Sequence, residues 1–247
     1  MNLHKLVLTK NACYKAGKTI TPKGIMVHST GASNPWLKRY VAPDDGLIGK
    51  NKYNNHWNQD KPGGRQVCVH AFIGKLADGT IATYQTLPWN HRGWHAGGIA
   101  NNTHIGFEIC EDGLSDSTYF NKVYREAIEL CAYLCTEFGL VENHIICHSE
   151  GYKLGNASNH ADVMHWFSKH GKNMDMFRAE VKALLSMNAS SDPTTYIVHT
   201  VVRGDTLWVI ARKYLGDGSR FKEIVTLNEL KSNIITIGQK LRMKEVI

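Results

Sequence analysis

Residues 147–167 read CHSEGYKLGNASNHADVMHWF and place His148, Glu150, His160, Asp162 and His165 in one stretch. An apolar run, NHIIC at 143–147, leads into it. Far upstream, GIMVHST at 24–30 delivers His28 at the end of a second apolar run. Imidazole nitrogen and carboxylate oxygen are zinc ligands. Two strands that each present a His at their exit, with a carboxylate from the following loop, supply three ligands and leave a fourth position for water. That is the arrangement of a catalytic zinc. The candidate centre is therefore Zn²⁺ on His28, His148 and Asp162.

Spacing alone leaves ordinary roles open. The chain has 13 His, and most histidines in a protein this size pack or face solvent. There is no compact HExxH. His91 and His95 have the two-His spacing, but HRGWH lacks the Glu and contains Gly93, so it reads as a loop.

Three further stretches carry chemistry. THIGFEIC at 103–110 alternates as a strand, with Ile105, Phe107 and Ile109 on one face and His104, Glu108 and Cys110 on the other. A carboxylate inside a buried strand is costly without partners. Glu108 is thus either ion-paired or a general base beside a metal-bound water. His70, in the strand-like stretch 67–74, is either packed or lines the site. The segment 88–102, PWNHRGWHAGGIANN, combines two Trp, two His and three Gly on a loop. Such a loop suits sugar or peptide contact, or is simply anchored by its Trp.

Five of these blocks occur in a familiar order: MVHST (26–30), WHAG (94–97), IGFE (105–108), HSE (148–150) and HAD (160–162). Together they resemble the zinc-dependent N-acetylmuramoyl-L-alanine amidases related to phage T7 lysozyme and the peptidoglycan recognition proteins. The resemblance runs over roughly residues 20–185. It implies that zinc is held by His28, His148 and Asp162 and that Glu108 is the base. It also implies that Trp94 and His95 border the substrate cleft. His70 joins them as a candidate lining residue from its strand position alone. Many relatives carry Lys two residues before the third ligand. This chain has His160 there, which implies a hydrogen bond to the oxyanion from an imidazole instead.

Length and composition agree with a domain plus a module. The chain has 247 residues, 43% hydrophobic, and no apolar run of membrane-spanning length. The N-terminus has no long apolar core or small-residue cleavage site, so the expectation is synthesis in the cytoplasm without a signal peptide. The net charge of +7 favours a polyanionic partner. No helix-turn-helix, RNP or zinc-finger pattern points to nucleic acid, and no membrane partner is expected. The six Cys sit mostly in apolar runs and read as buried reduced thiols. Cys131 and Cys135 share a helix face and receive no metal role.

The elements that must position these residues follow in order. Residues 1–23 are mixed, and 31–65 form a long loop rich in Gly, Asn, Asp, Pro and Lys. So long a loop in a compact domain is usually functional, and the expectation here is a wall of a substrate groove. Asp78-Gly79 marks a hairpin between 67–74 and 80–85. Apolar residues recurring at three and four predict a helix over 119–138, and Met174 to Leu185 predict another. The fold class is α/β, a mixed central sheet flanked by helices, in a catalytic domain over 1–186. Residues 187–195 form a polar linker.

Residues 196–247 predict a small βααβ domain. RGDTLW (203–208), LN (227–228), NII (233–235) and GQKL (238–241) resemble LysM, a module for N-acetylglucosamine-containing glycans. The resemblance implies glycan contact at Gly204, Asp205, Thr206, Asn233, Ile234 and Ile235. Helix capping is the other role open to Asp205 and Thr206.

The expectation is a zinc hydrolase of the bond between N-acetylmuramic acid and L-alanine, with peptidoglycan as partner. It would act on the wall after release, as a phage endolysin or a bacterial autolysin does. A non-catalytic peptidoglycan binder of the same fold is the alternative. The intact trio favours the enzyme, because binders typically lose a ligand.

Overall fold

The computed structural model describes residues 1–191 and 196–244, with side chains left undescribed at 188–191 and 244. It divides into two compact units, Met1–Met187 and Asn188–Ile247.

The first unit is built on a six-stranded sheet. Its strands are β1 (Leu3–Lys5), β2 (Gly24–Ser29), β3 (Ala71–Lys75), β4 (Ile81–Gln85), β5 (His104–Ile109) and β6 (Ile145–Cys147), in the order β1-β4-β3-β5-β2-β6. β3, β5, β2 and β6 run parallel to one another, while β4 pairs antiparallel with β3. The hairpin between β3 and β4 turns at Asp78, whose carboxylate accepts from Thr80 N at 2.9 Å. The mixed N-terminal stretch contributes an edge strand: β1 pairs parallel with β4.

α1 (Ala12–Lys15) and α2 (Ser117–Phe138) lie between these strands in sequence, and α3 (His148–Lys153), α4 (Met164–Phe167) and α5 (Met174–Ser191) follow β6. α2 starts where the Asp116 carboxylate accepts from the Thr118 and Tyr119 amides, satisfying donors that a helix start leaves open. It stops at Gly139, whose left-handed φ of +63° suits a residue without a side chain. α5 runs on through Ser191, into the stretch that reads as linker from composition; residues 192–195 lie outside the described residues.

Alternation sorts the sheet into two faces. Ile25, Val27, Ile73, Ile105, Phe107 and Ile109 pack with α2, α4 and α5. Phe120 of α2 meets Trp166, Phe167 and His170 at ring separations of 5.3, 5.6 and 4.1 Å. Truncating it to Ala would cost about 3–5 kcal/mol, as for other buried Phe residues. The opposite face is covered by loops. Leu37, Tyr40, Val41 and Ile48 from the long loop pack on Phe72 and Tyr84, and Ala96 and Ala100 pack on Met26.

One expectation is overturned. Cys13 of α1 and Cys68 form a disulfide 55 residues apart, so these two are not reduced thiols. Cys110, Cys131, Cys135 and Cys147 are free and buried. The Cys13–Cys68 pairing depends on the loop path that carries Cys68 back to α1, which local apolar pattern does not encode.

The second unit pairs β7 (Tyr196–Thr200) antiparallel with β8 (Lys240–Lys244), around α6 (Leu207–Leu215) and α7 (Phe221–Leu227). Its small core holds Val201, Leu207, Ile210, Leu215, Ile224, Leu241 and Met243. Residues 245–247 of the expected module lie outside the described residues.

Candidate metal centre and glycan module

Sheet register brings the distant residues together. His28 is the Cα partner of Glu108 across β2 and β5, and Val27 pairs with Cys147, the residue before His148. Three site residues therefore leave adjacent parallel strands at one level, at the carboxyl ends where α/β sheets open clefts. Asp162 arrives from the loop after α3.

His28 Nδ1 lies 3.0 Å from Asp162 Oδ2 and 3.1 Å from His148 Nδ1, and His148 Nδ1 is 3.5 Å from Asp162 Oδ1. A tetrahedral zinc with bonds of about 2.0–2.1 Å has ligand–ligand edges of about 3.3 Å. The three separations fit such a centre. Two Nδ1 atoms facing at 3.1 Å also need a cation or a shared proton between them.

The far side of each imidazole is chained to a backbone carbonyl. His28 Nε2 meets His95 Nδ1 at 2.9 Å, and His95 Nε2 meets the His104 carbonyl at 3.2 Å. His148 Nε2 meets Ser158 Oγ at 3.2 Å, and that hydroxyl donates to the Ala96 carbonyl at 3.2 Å. A carbonyl only accepts, so each chain places its hydrogens on Nε2 and leaves Nδ1 as the lone-pair nitrogen. Such outer partners fix ligand tautomer and orientation. Gly106 makes room for the first chain: a Cβ there would lie 2.4 Å from His95 Nδ1.

Burial would raise the Asp162 carboxyl, but hydrogen bonds with His148 and His28 overcome this and hold it well below the usual carboxylate range. Burial lowers His28, against the raising effect of its Asp162 hydrogen bond. Glu108 is pushed well above the ordinary carboxyl value, first by burial and then by the charges of Asp162 and Glu111. Its Oε2 is buried without a hydrogen-bond partner. Among the described residues, Glu108 forms no ion pair.

These groups line one depression of about 600 Å³, with Trp94, His95, His160 and His165 on its walls. Trp94 is 41% exposed and carries the Arg92 guanidinium 4.7 Å over its ring. His160 is exposed, its ring 4.6 Å from that of His148. His95 reaches the depression, but its ring nitrogens serve His28 and the His104 carbonyl. His70 does not line it. This residue is fully buried, accepting from Gly106 N at 3.0 Å and contacting the His91 carbonyl at 2.8 Å. Burial lowers its pKa to about 4. Its strand position makes it a packed residue behind His95.

Sequence reading missed Ser158 and the pair His165–Glu111, whose Nε2 and Oε1 are 3.0 Å apart. Glu111 is buried and also accepts from Gly31 N at 3.1 Å. The only available signal was His165 within the ligand-rich run. Glu150 of that run turns elsewhere, into a two-point pair with Arg178 at 3.0 Å.

In the second unit, Thr206 caps α6 by accepting from Val209 N, and Asp205 Oδ2 accepts from Val202 N at 2.8 Å and meets His199 Nε2 at 2.6 Å. Gly204 holds a φ of +96°. Asn233 and Ile234 are exposed, and Ile235 packs partly on the core.

The family model for N-acetylmuramoyl-L-alanine amidase (Amidase_2) matches residues 18–164, and the LysM domain model matches 199–244. N-acetylmuramoyl-L-alanine amidase XlyA of Bacillus subtilis (strain 168) is 30% identical over 162 residues, 64% of this chain. The chain spans about half the length of that relative, 46%. A PlyL mutant structure aligns with a TM-score of 0.52 at 19% identity, covering 74% of this chain and 99% of that one. Staphylococcus aureus hydrolase AmiA, solved in complex with its ligand, aligns with a TM-score of 0.52 at 20% identity, covering 76% of this chain and 84% of that one. Both share the fold of the first unit. With more than half of its length matched by the first model, the chain belongs to the N-acetylmuramoyl-L-alanine amidase family and carries a LysM domain after the amidase domain.

Proposed function

We propose that the chain hydrolyses the amide between the lactyl group of N-acetylmuramic acid and L-alanine in peptidoglycan, with Zn²⁺ on His28, His148 and Asp162. One observation carries this reading: three ligand atoms within 4.8 Å of one another share a depression with the unpartnered carboxyl oxygen of Glu108. The donor set of two neutral imidazoles and a carboxylate suits zinc.

When bound, zinc polarises an amide carbonyl and brings the pKa of a coordinated water toward neutrality. Glu108 takes a proton from the attacking water and returns it to the leaving amine. A carboxyl raised by burial is suited to both transfers near neutral pH. His160, on the rim, donates a hydrogen bond toward the developing oxyanion. Trp94 offers an exposed indole face to sugar or peptide. In the second unit Gly204, Thr206, Asn233, Ile234 and Ile235, with the backbone that Asp205 holds, contact glycan. One LysM copy raises the enzyme's local concentration at the wall. The place of action is the cell wall, reached after release from the producing cell.

The test is release of new amino termini from purified peptidoglycan, stopped by chelator and restored by Zn²⁺. A zinc-loaded chain that sediments with peptidoglycan yet releases no amine would show a binder and not a hydrolase.

A further inference from the structure

The long loop has a second face. Thr30, Gly31 and Trp57 border the metal depression, whereas the intervening residues line a separate cleft of about 580 Å³. Its walls include Lys38, Arg39, Lys50 and Lys52 with Trp36 and Tyr53, and no carboxylate. Lys15, Lys172 and Lys182 each have an acidic partner. Among the described residues, none of the four cleft cations forms an ion pair. Tyr53 is 86% exposed, and the Trp36 ring lies 5.1 Å from Lys38 Nζ and 5.7 Å from Lys75 Nζ.

The cleft stands on a fixed frame. Leu37, Tyr40 and Ile48 are buried beneath it, and Asp44 Oδ1 holds the turn by accepting from Gly46 N and Gly49 N at 3.0 Å each. Unneutralised cations held close together repel one another and attract a ligand carrying repeated negative charge. The interleaved rings add flat surface for a polyol or sugar backbone.

We propose that this cleft is a second wall-binding site, for an anionic polymer of phosphodiester-linked polyol or sugar units. The choice of a wall polymer over nucleic acid rests on the amidase reading, since the same loop borders the depression assigned to peptidoglycan.

The experiment uses the full chain and a Lys38→Gln/Lys50→Gln/Lys52→Gln variant. Binding is measured to intact Gram-positive cell walls and to walls stripped of phosphodiester polymer with hydrofluoric acid. The wild type should bind intact walls at least about tenfold more tightly, given the usual gain per basic residue near an anionic surface, and added salt should erase the difference. The variant should bind both walls equally, with unchanged zinc content, melting transition and hydrolysis of stripped walls. Equal wild-type binding to both walls would overturn the proposal, as would a variant that keeps the preference. So would duplex DNA that outcompetes the extracted polymer for the wild type. Binding is read without catalysis, so failure to release amine would sink the amidase reading and leave this measurement standing.

Discussion

His95 presents its Nδ1 to His28 Nε2 at 2.9 Å and anchors its other nitrogen on the His104 carbonyl at 3.2 Å. On the proposed zinc reading, the loop histidine acts on the centre through His28. His95→Ala should weaken Zn²⁺ affinity about 10–100-fold, the usual loss when an outer partner of a metal-bound His is removed. His95→Gln, which keeps an acceptor near that position, should recover part of it. Competition with a chromophoric chelator reads the affinity directly. Equal affinities for wild type and both variants would reduce His95 to a cleft wall.

Glu108→Gln should retain zinc and lose hydrolysis by about 10²–10⁴-fold, the range of general acid–base catalysis. Because only the carboxylate accepts a proton, hydrolysis by the wild type should fall as pH drops through the raised Glu108 pKa. Zinc content and rate measured on one preparation separate this loss from loss of metal.

His70 links stability to pH. Its folded pKa, lowered to about 4 by burial, lies below the unfolded value of about 6.5. The neutral ring is therefore stabilising above pH ~6.5, and that contribution declines as pH falls toward 4, by about 3 kcal/mol in total. His70→Gln should be less stable at pH 7.5 and show a shallower decline across that window. Urea melts at a series of pH values give both slopes, and parallel slopes would remove His70 from the acid sensitivity.

Reduction of Cys13–Cys68 should destabilise the first unit. A closed loop of 55 residues corresponds to about 4 kcal/mol of unfolded-chain entropy. The cross-link also reaches the cleft, because Cys68 and Trp94 exchange backbone hydrogen bonds at 3.1 Å. Cys13→Ser should lower the melting transition and increase Trp94 mobility in fluorescence anisotropy, measured with the other five Trp replaced by Phe.

What the sequence made legible was short-range or shared across the family. Alternation in β5 placed Glu108 opposite Ile105 and Phe107, and three–four spacing located α2 nearly to its ends. The cluster of His28, His148 and Asp162 was visible because two apolar runs each end in His. Long-range partnerships were not legible. His95 and His70 both sit in aromatic, imidazole-rich surroundings, and only the fold shows that one braces His28 while the other is packed behind it. Ser158 and Glu111 carry no spacing signal, since Ser158 meets the His148 ring and the Ala96 carbonyl, and Glu111 the His165 ring and the Gly31 amide, all reached across loops. The cysteine pair escaped notice for the same reason.

His28 and Glu108 sit opposite each other on neighbouring strands, so the spacing of their backbones is set by the peptide ladder. The parts of the rim that neither carry Asp162 nor brace His28 can therefore change length, charge and aromatic content while this strand spacing stays fixed, and a lineage can retarget such a protein there.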